Sequence, residues 1–114
     1  MKIYIVNYGP HMNDALEKVK KEYQTEILTE GSVNIFATDR LRYELEQKMK
    51  NIQPDDYLLL GGNTVINSIA AIIMYEKTGI VNFFIYDAKT KEYVKRDNIM
   101  IKKEGEIYES NRKI

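Results

Sequence analysis

The chain has no cysteine, no tryptophan, a single histidine and only two prolines in 114 residues. The missing cysteines remove disulfides, thiolate metal sites and cysteine nucleophiles together, and they fit a reducing compartment. With His11 as the only imidazole, a zinc site would need mostly carboxylate ligands, and neither an HExxH pair nor a His-carboxylate spacing occurs. No metal site and no cofactor is therefore expected. Charge of one sign is not in excess either: 17 Lys and Arg balance 17 Asp and Glu, so no overall field favours long nucleic acid or an anionic membrane. The longest apolar run, at residues 69–75, falls well short of the ~20 residues that span a bilayer. The amino terminus lacks the basic, apolar and small-residue regions of a secretion signal, so the sequence predicts a chain that starts at Met1 and works in the cytoplasm.

What is present reads as one α/β domain, since the length suits a single core and no linker or repeat divides it. Residues 2–7, rich in β-branched and aromatic side chains, form a strand that ends at Asn7-Tyr8-Gly9-Pro10. Asn13 or Asp14 caps a short helix with Leu16, Val19 and Tyr23 on one face. A second short strand is expected at residues 26–29, followed by a loop or extended segment at 33–36. Thr38 or Asp39 then caps a helix whose Leu41, Leu45, Met49 and Ile52 form a stripe, with Glu44-Lys48 and Glu46-Lys50 as i,i+4 pairs.

Residues 57–60 are a continuous apolar run of the kind found in a strand covered on both faces. Gly61-Gly62-Asn63-Thr64 follows, then an apolar helix to Lys77 stopped by Thr78-Gly79, and a buried strand at residues 80–86. A helix joining two strands implies parallel pairing through a right-handed crossover. The polar turn at residues 87–91 and the strand at 92–94 close an antiparallel hairpin, and a further hairpin is expected across Lys103-Glu104-Gly105. The predicted architecture is a small Rossmann-like three-layer domain over residues 1–109, with a mainly parallel sheet, a carboxyl-terminal antiparallel hairpin and a mobile tail at 110–114.

The most informative segment is Gly61-Gly62-Asn63-Thr64, because helix N–H groups and the positive end of the helix dipole meet the carboxyl edge of the sheet there. It is neither a GxGxxG nor a GxxxxGK[ST] motif, so no dinucleotide coenzyme or nucleoside triphosphatase is indicated. Gly-Gly with Asn and Thr also makes an ordinary turn and cap, and both readings stay open. Asn7, Tyr8 and His11 leave the first strand at the same edge, and a loop histidine can orient a ligand or move a proton near neutral pH. Thr29, Asn34, Thr38 and Arg40 are placed to add one wall of a pocket, unless they serve only in turns and caps. No nucleophile elbow and no acid-base carboxylate pair stands out, so no catalytic residue is assigned. Helix positions Thr64, Ser68, Ala71 and Tyr75 form a second stripe on an otherwise apolar helix, which suggests burial against a second copy or beneath the carboxyl-terminal hairpin. The basic stretch at residues 89–103 reads as a solvated hairpin surface rather than an RNA site.

From Tyr57-Leu58-Leu59-Leu60-Gly61-Gly62-Asn63-Thr64 through the apolar helix, Val81 to Asp87 and the hairpin, the chain resembles the later half of CRISPR-associated Rossmann-fold (CARF-like) sensor domains. That resemblance implies a cyclic oligonucleotide ligand held across a dimer. The whole chain is also similar to a family of small, uncharacterised tailed-phage and prophage proteins, through Lys2 to Asn7, Leu28 to Gly31, Phe36-Ala37-Thr38 and Asp55 to Leu60. Together they imply a homodimeric phage anti-defence protein that sequesters a nucleotide-type immune signal, a cyclic nucleotide or an ADP-ribose relative, in the host cytoplasm. The rival expectations are a metal-independent ring nuclease and an interaction module that inhibits a host protein.

Overall fold

The computed structural model describes residues 1–9 and 13–99, the last two by backbone only. Eight elements follow in order: β1 (Lys2–Ile5), α1 (Asp14–Glu22), β2 (Gln24–Ile27), α2 (Thr38–Lys48), β3 (Tyr57–Leu59), α3 (Thr64–Thr78), β4 (Val81–Asp87) and β5 (Glu92–Ile99). The strands form one sheet in the order β2-β1-β3-β4-β5, parallel except for the last pair, as the sequence predicts. His11, the hairpin expected across Lys103-Glu104-Gly105 and the tail at 110–114 lie outside the described residues.

Strand alternation divides the core into two layers. Ile3, Ile5, Tyr57, Leu59 and Phe84 face Leu16 and Val19 of α1. Tyr4, Val6, Leu58 and Val81 face Leu41 and Leu45 of α2 and Ile66, Ala70, Ile73 and Met74 of α3. The chain winds from β1 to β2 in one direction and back across to β3 and β4 in the other. A constant crossover hand therefore puts α1 on one face and α2 with α3 on the opposite one. β3 is buried along its whole length, which explains its unbroken apolar run.

The amino edge of the sheet is pinned by polar groups. Buried Asp56 accepts from the amides of Lys2 (2.8 Å) and Gln53 (2.7 Å), and Asn82 donates to the carbonyls of Pro54 (2.8 Å) and Asp56 (2.9 Å). These bonds fasten β1, β3 and β4 at the end away from the glycine turn.

Several elements differ from the sequence reading. β2 starts two residues early, at Gln24, because its register against β1 runs from Lys2 with Gln24 to Ile5 with Ile27. The chain then stays beside β1 irregularly, with the Leu28 amide on Ile5 O and the Tyr8 amide on Thr29 O. Thr38 is the first helical residue of α2 rather than its cap; Ala37 holds the cap position without a side-chain bond, and Asn34 ties the preceding turn. The pairs expected between Glu44 and Lys48 and between Glu46 and Lys50 are not formed. Glu44 binds Arg40 (3.1 Å), Glu46 binds Arg42 (2.6 Å), and Lys48 donates to the carbonyl of Leu28 (2.8 Å). Either neighbour four residues away can reach each glutamate, and the carbonyl leaving β2 draws the lysine away. β5 runs to Ile99 instead of ending at Val94, because β4 offers it a partner back to Val81. Among the described residues no helix is long and apolar enough to cross a membrane.

Candidate functional site

β1 and β3 lie side by side and parallel, but the chain leaves them in opposite senses, β1 toward α1 and β3 toward α3 on the other face. Such a reversal opens a crevice at the strand carboxyl ends, where ligands of doubly wound sheets bind. A cavity of about 470 Å3 occupies that place. Asn7 and Gly9 contribute from the end of β1, Asn13 and Leu16 from the start of α1, Gly31 and Ser32 from the loop after β2, Leu59, Gly61 and Gly62 from β3 and its turn, and Tyr93 from β5. Its volume falls within the ~300–1,000 Å3 usual for small-molecule sites.

Local chemistry sets this geometry. Gly62 sits at φ +78° directly against Asn7, and a Cβ there would lie 2.8 Å from Asn7 Cβ. Glycine is needed on both counts. The Asn7 carboxamide is itself fixed: its Nδ2 donates to Thr29 Oγ1 (2.8 Å) and to Gly31 O (3.1 Å), while the Thr29 hydroxyl donates to Val6 O (2.7 Å). Both Asn7 donors are thus used inside the protein, and its Oδ1 keeps acceptor capacity.

The helix amino ends flanking the cavity carry their own caps. Asn13 Oδ1 accepts from the Leu16 amide (2.9 Å), Asn63 Oδ1 from the Val65 amide (2.7 Å), and Asn67 Oδ1 from the Gly61 amide (3.2 Å). The tip of α3 is nonetheless open, because Gly62, Asn63 and Thr64 are exposed. Tyr93 is half-buried and packs edge-on against Tyr86, with ring centroids 5.4 Å apart. Burial pushes its hydroxyl pKa up, a hydrogen bond with the Asn13 side chain opposes this, and neighbouring Tyr86 raises it further.

Compared with protein-family models, residues 1–99 match the family described as phage Pam3 gp32-like protein. The chain belongs to that family. No curated protein and no solved structure gives a significant match.

In this gp32-like chain, Asn7, Gly61 and Gly62 come together as the sequence predicts. Asn63 and Thr64 sit at the helix tip but do not line the cavity, and Asn63 is engaged as the cap. Tyr8 turns toward α1, where Lys20 lies over its ring at 4.5 Å and donates to its hydroxyl at 3.3 Å. Arg40 lines a neighbouring cavity of about 350 Å3 with Glu44 and Lys48, while Thr38 lines neither. Ser32 borders both cavities. Among the described residues no group of three or more His, Asp or Glu side chains could hold a metal ion. Sequence reasoning missed Asn13 as a wall residue, although its place as helix cap after β1 signalled it. It also missed Tyr93, which reaches the site only through the register of the β4–β5 hairpin.

Proposed function

We propose that this phage protein binds a small nucleotide-type ligand in the cavity at the carboxyl ends of β1 and β3 and holds it without turnover, withdrawing a host immune signal from the cytoplasm. The observation that supports this reading is the cavity's position, at the point where the strand order reverses and two helices begin, with Gly62 pressed on Asn7 to keep the turn open. Carboxamides, hydroxyls and glycine backbone favour binding over bond breaking, because they donate and accept hydrogen bonds without titrating near neutrality. Ala71 and Tyr75 of the expected stripe pack against the core, so the outward face of α3 is the one with Ser68 and Ile72 exposed. That face would meet a second copy, and size-exclusion chromatography with light scattering tests that homodimer.

The decisive experiment incubates the protein with cyclic di- and oligonucleotides and ADP-ribose isomers, measures binding by calorimetry, and then heats the complex to recover the ligand. Intact ligand after heating supports sequestration. Linear products would replace it with the ring-nuclease reading, and no binding across the set would discard nucleotide binding altogether. A second reading draws on Phe36, which is 89% exposed, and Tyr43 nearby in sequence at 63%. Exposed aromatic side chains of this kind suit an interaction module that inhibits a host protein. Phe36→Ser with Tyr43→Ser would then abolish anti-defence activity while leaving ligand affinity unchanged.

A further inference from the structure

The walls of the cavity and the state of its backbone amides divide the labour differently from a phosphate-cradling loop. A helix amino end grips phosphate through free N–H groups. Here the Gly61, Leu16 and Val65 amides already donate to Asn67, Asn13 and Asn63, while the Asn63 and Thr64 amides stand at the exposed tip of α3, outside the cavity walls. A phosphate seated among the cavity walls would have to displace the bonds at Gly61 and Leu16, giving up interactions the protein already makes, whereas one at the rim would not. The side-chain surface offers something else: an aromatic ring at Tyr93, apolar floor at Leu16 and Leu59, and the uncommitted carbonyl of Asn7. A ring to stack on, an apolar floor and a fixed acceptor are what a flat heterocycle with N–H groups on its edge requires. The charged residues Arg40, Glu44 and Lys48 belong to the neighbouring cavity, beyond Ser32.

We infer that the cavity takes the nucleoside part of its ligand, with the base against Tyr93 and within reach of Asn7 Oδ1, and leaves the phosphates in solvent at the rim. This rests on the ligand-site reading of the cavity and specifies which half of the molecule carries recognition. Tyr93 is then a specificity-determining residue, and ligands sharing a nucleoside are bound alike whatever joins their phosphates.

The test titrates the full-length protein with adenosine, guanosine, cytidine and uridine, and with the 5′-monophosphate and 5′-diphosphate of each, by calorimetry at low and high salt. The inference expects at least one nucleoside to bind within about threefold of its phosphorylated forms, with little change on adding salt, because exposed phosphate charge is screened. Tyr93→Phe keeps the ring and keeps the affinity, whereas Tyr93→Leu loses about tenfold or more, the order expected for one stacked base. Affinity that climbs about tenfold with each phosphate and collapses with salt overturns the inference while leaving the cavity a nucleotide site. Equal affinities for the Phe and Leu variants also overturn it. No binding by any member of the set overturns both this assignment and the ligand-site reading. The phosphate series uses the unaltered chain, so it decides the matter even if the leucine variant folds poorly.

Discussion

Replacing Gly62 by alanine separates two reasons for glycine at one position. A side chain at φ +78° incurs left-handed strain of about 1–2 kcal/mol. It also places Cβ 2.8 Å from Asn7 Cβ, closer than packed atoms allow, and a tight 3.1 Å from Cγ and 3.2 Å from Oδ1. Asn7 must give way, and its bonds to Thr29 and Gly31, each worth about 1 kcal/mol, are at stake. Alanine regains roughly 0.4–1 kcal/mol by restricting the unfolded chain. The net expectation for Gly62→Ala is a loss of about 2–3 kcal/mol, or roughly 10 °C in Tm for a domain of this size. Gly79→Ala is the matched control: φ is +81°, yet nothing lies within 4 Å of the added Cβ, so only the strain remains, at about 1 kcal/mol. Urea unfolding followed by far-ultraviolet circular dichroism measures both. Equal losses, within ~0.5 kcal/mol, would refute the claim that contact with Asn7 dictates glycine at 62. In an Asn7→Gly background the extra penalty of Gly62→Ala should vanish, since the obstructing side chain is gone.

Three further outcomes are expected. Asn63→Ala removes the α3 cap and lowers stability by about 1 kcal/mol, read by thermal denaturation. Asp56→Ala strips the acceptor from the Lys2 and Gln53 amides and costs about 2–4 kcal/mol, which chemical denaturation will show as a lower midpoint with an unchanged slope. Tyr4 and Tyr57 are each pushed up from 10 to about 12, chiefly by burial, then by Asp56 at Tyr4 and by the hydrogen bond to Asp97 at Tyr57. A raised folded-state pKa gives stability that is complete below pH 10 and lost as pH rises from 10 to about 12, so alkaline unfolding should fall in that window together with a late phase of tyrosinate absorbance.

The parallel sheet was legible because its signals are local and agree with one another. An apolar run at 57–60, a glycine turn, an apolar helix and a left-handed stop at Gly79 leave little else for that stretch to be. The weaker first half was less readable. β2 carries Gln24, Thr25 and Glu26 at the sheet edge, so its position is set by pairing with β1, which no local pattern in those residues reveals. Likewise, Glu44 and Glu46 each had basic neighbours four residues away on both sides, and spacing could not choose between them.

The candidate site shows where residue type alone misleads. Asn7, Asn13, Asn63 and Asn67 all border the carboxyl edge, and a carboxamide there invites a ligand-contacting role. The same group is also well suited to fastening a chain that has just left a strand, since it accepts from one amide while donating elsewhere. Asn13, Asn63 and Asn67 accept from backbone amides and Asn7 donates to Thr29 and Gly31, by bonds of 2.7–3.2 Å. These bonds fasten the cavity walls, which would lower the ordering cost of binding a ligand there. They also remove the Gly61, Leu16 and Val65 amides from the inventory available to an anion. Under the proposed reading, recognition passes to surfaces that sequence proximity does not assemble, above all to Tyr93, delivered by a hairpin whose register pairs it with Tyr86. On that division, substitutions at Asn13, Asn63 and Asn67 should appear mainly as changes in stability, those at Tyr93 as changes in selectivity and those at Asn7 as both, a separation that binding and unfolding measurements on the same variants can resolve.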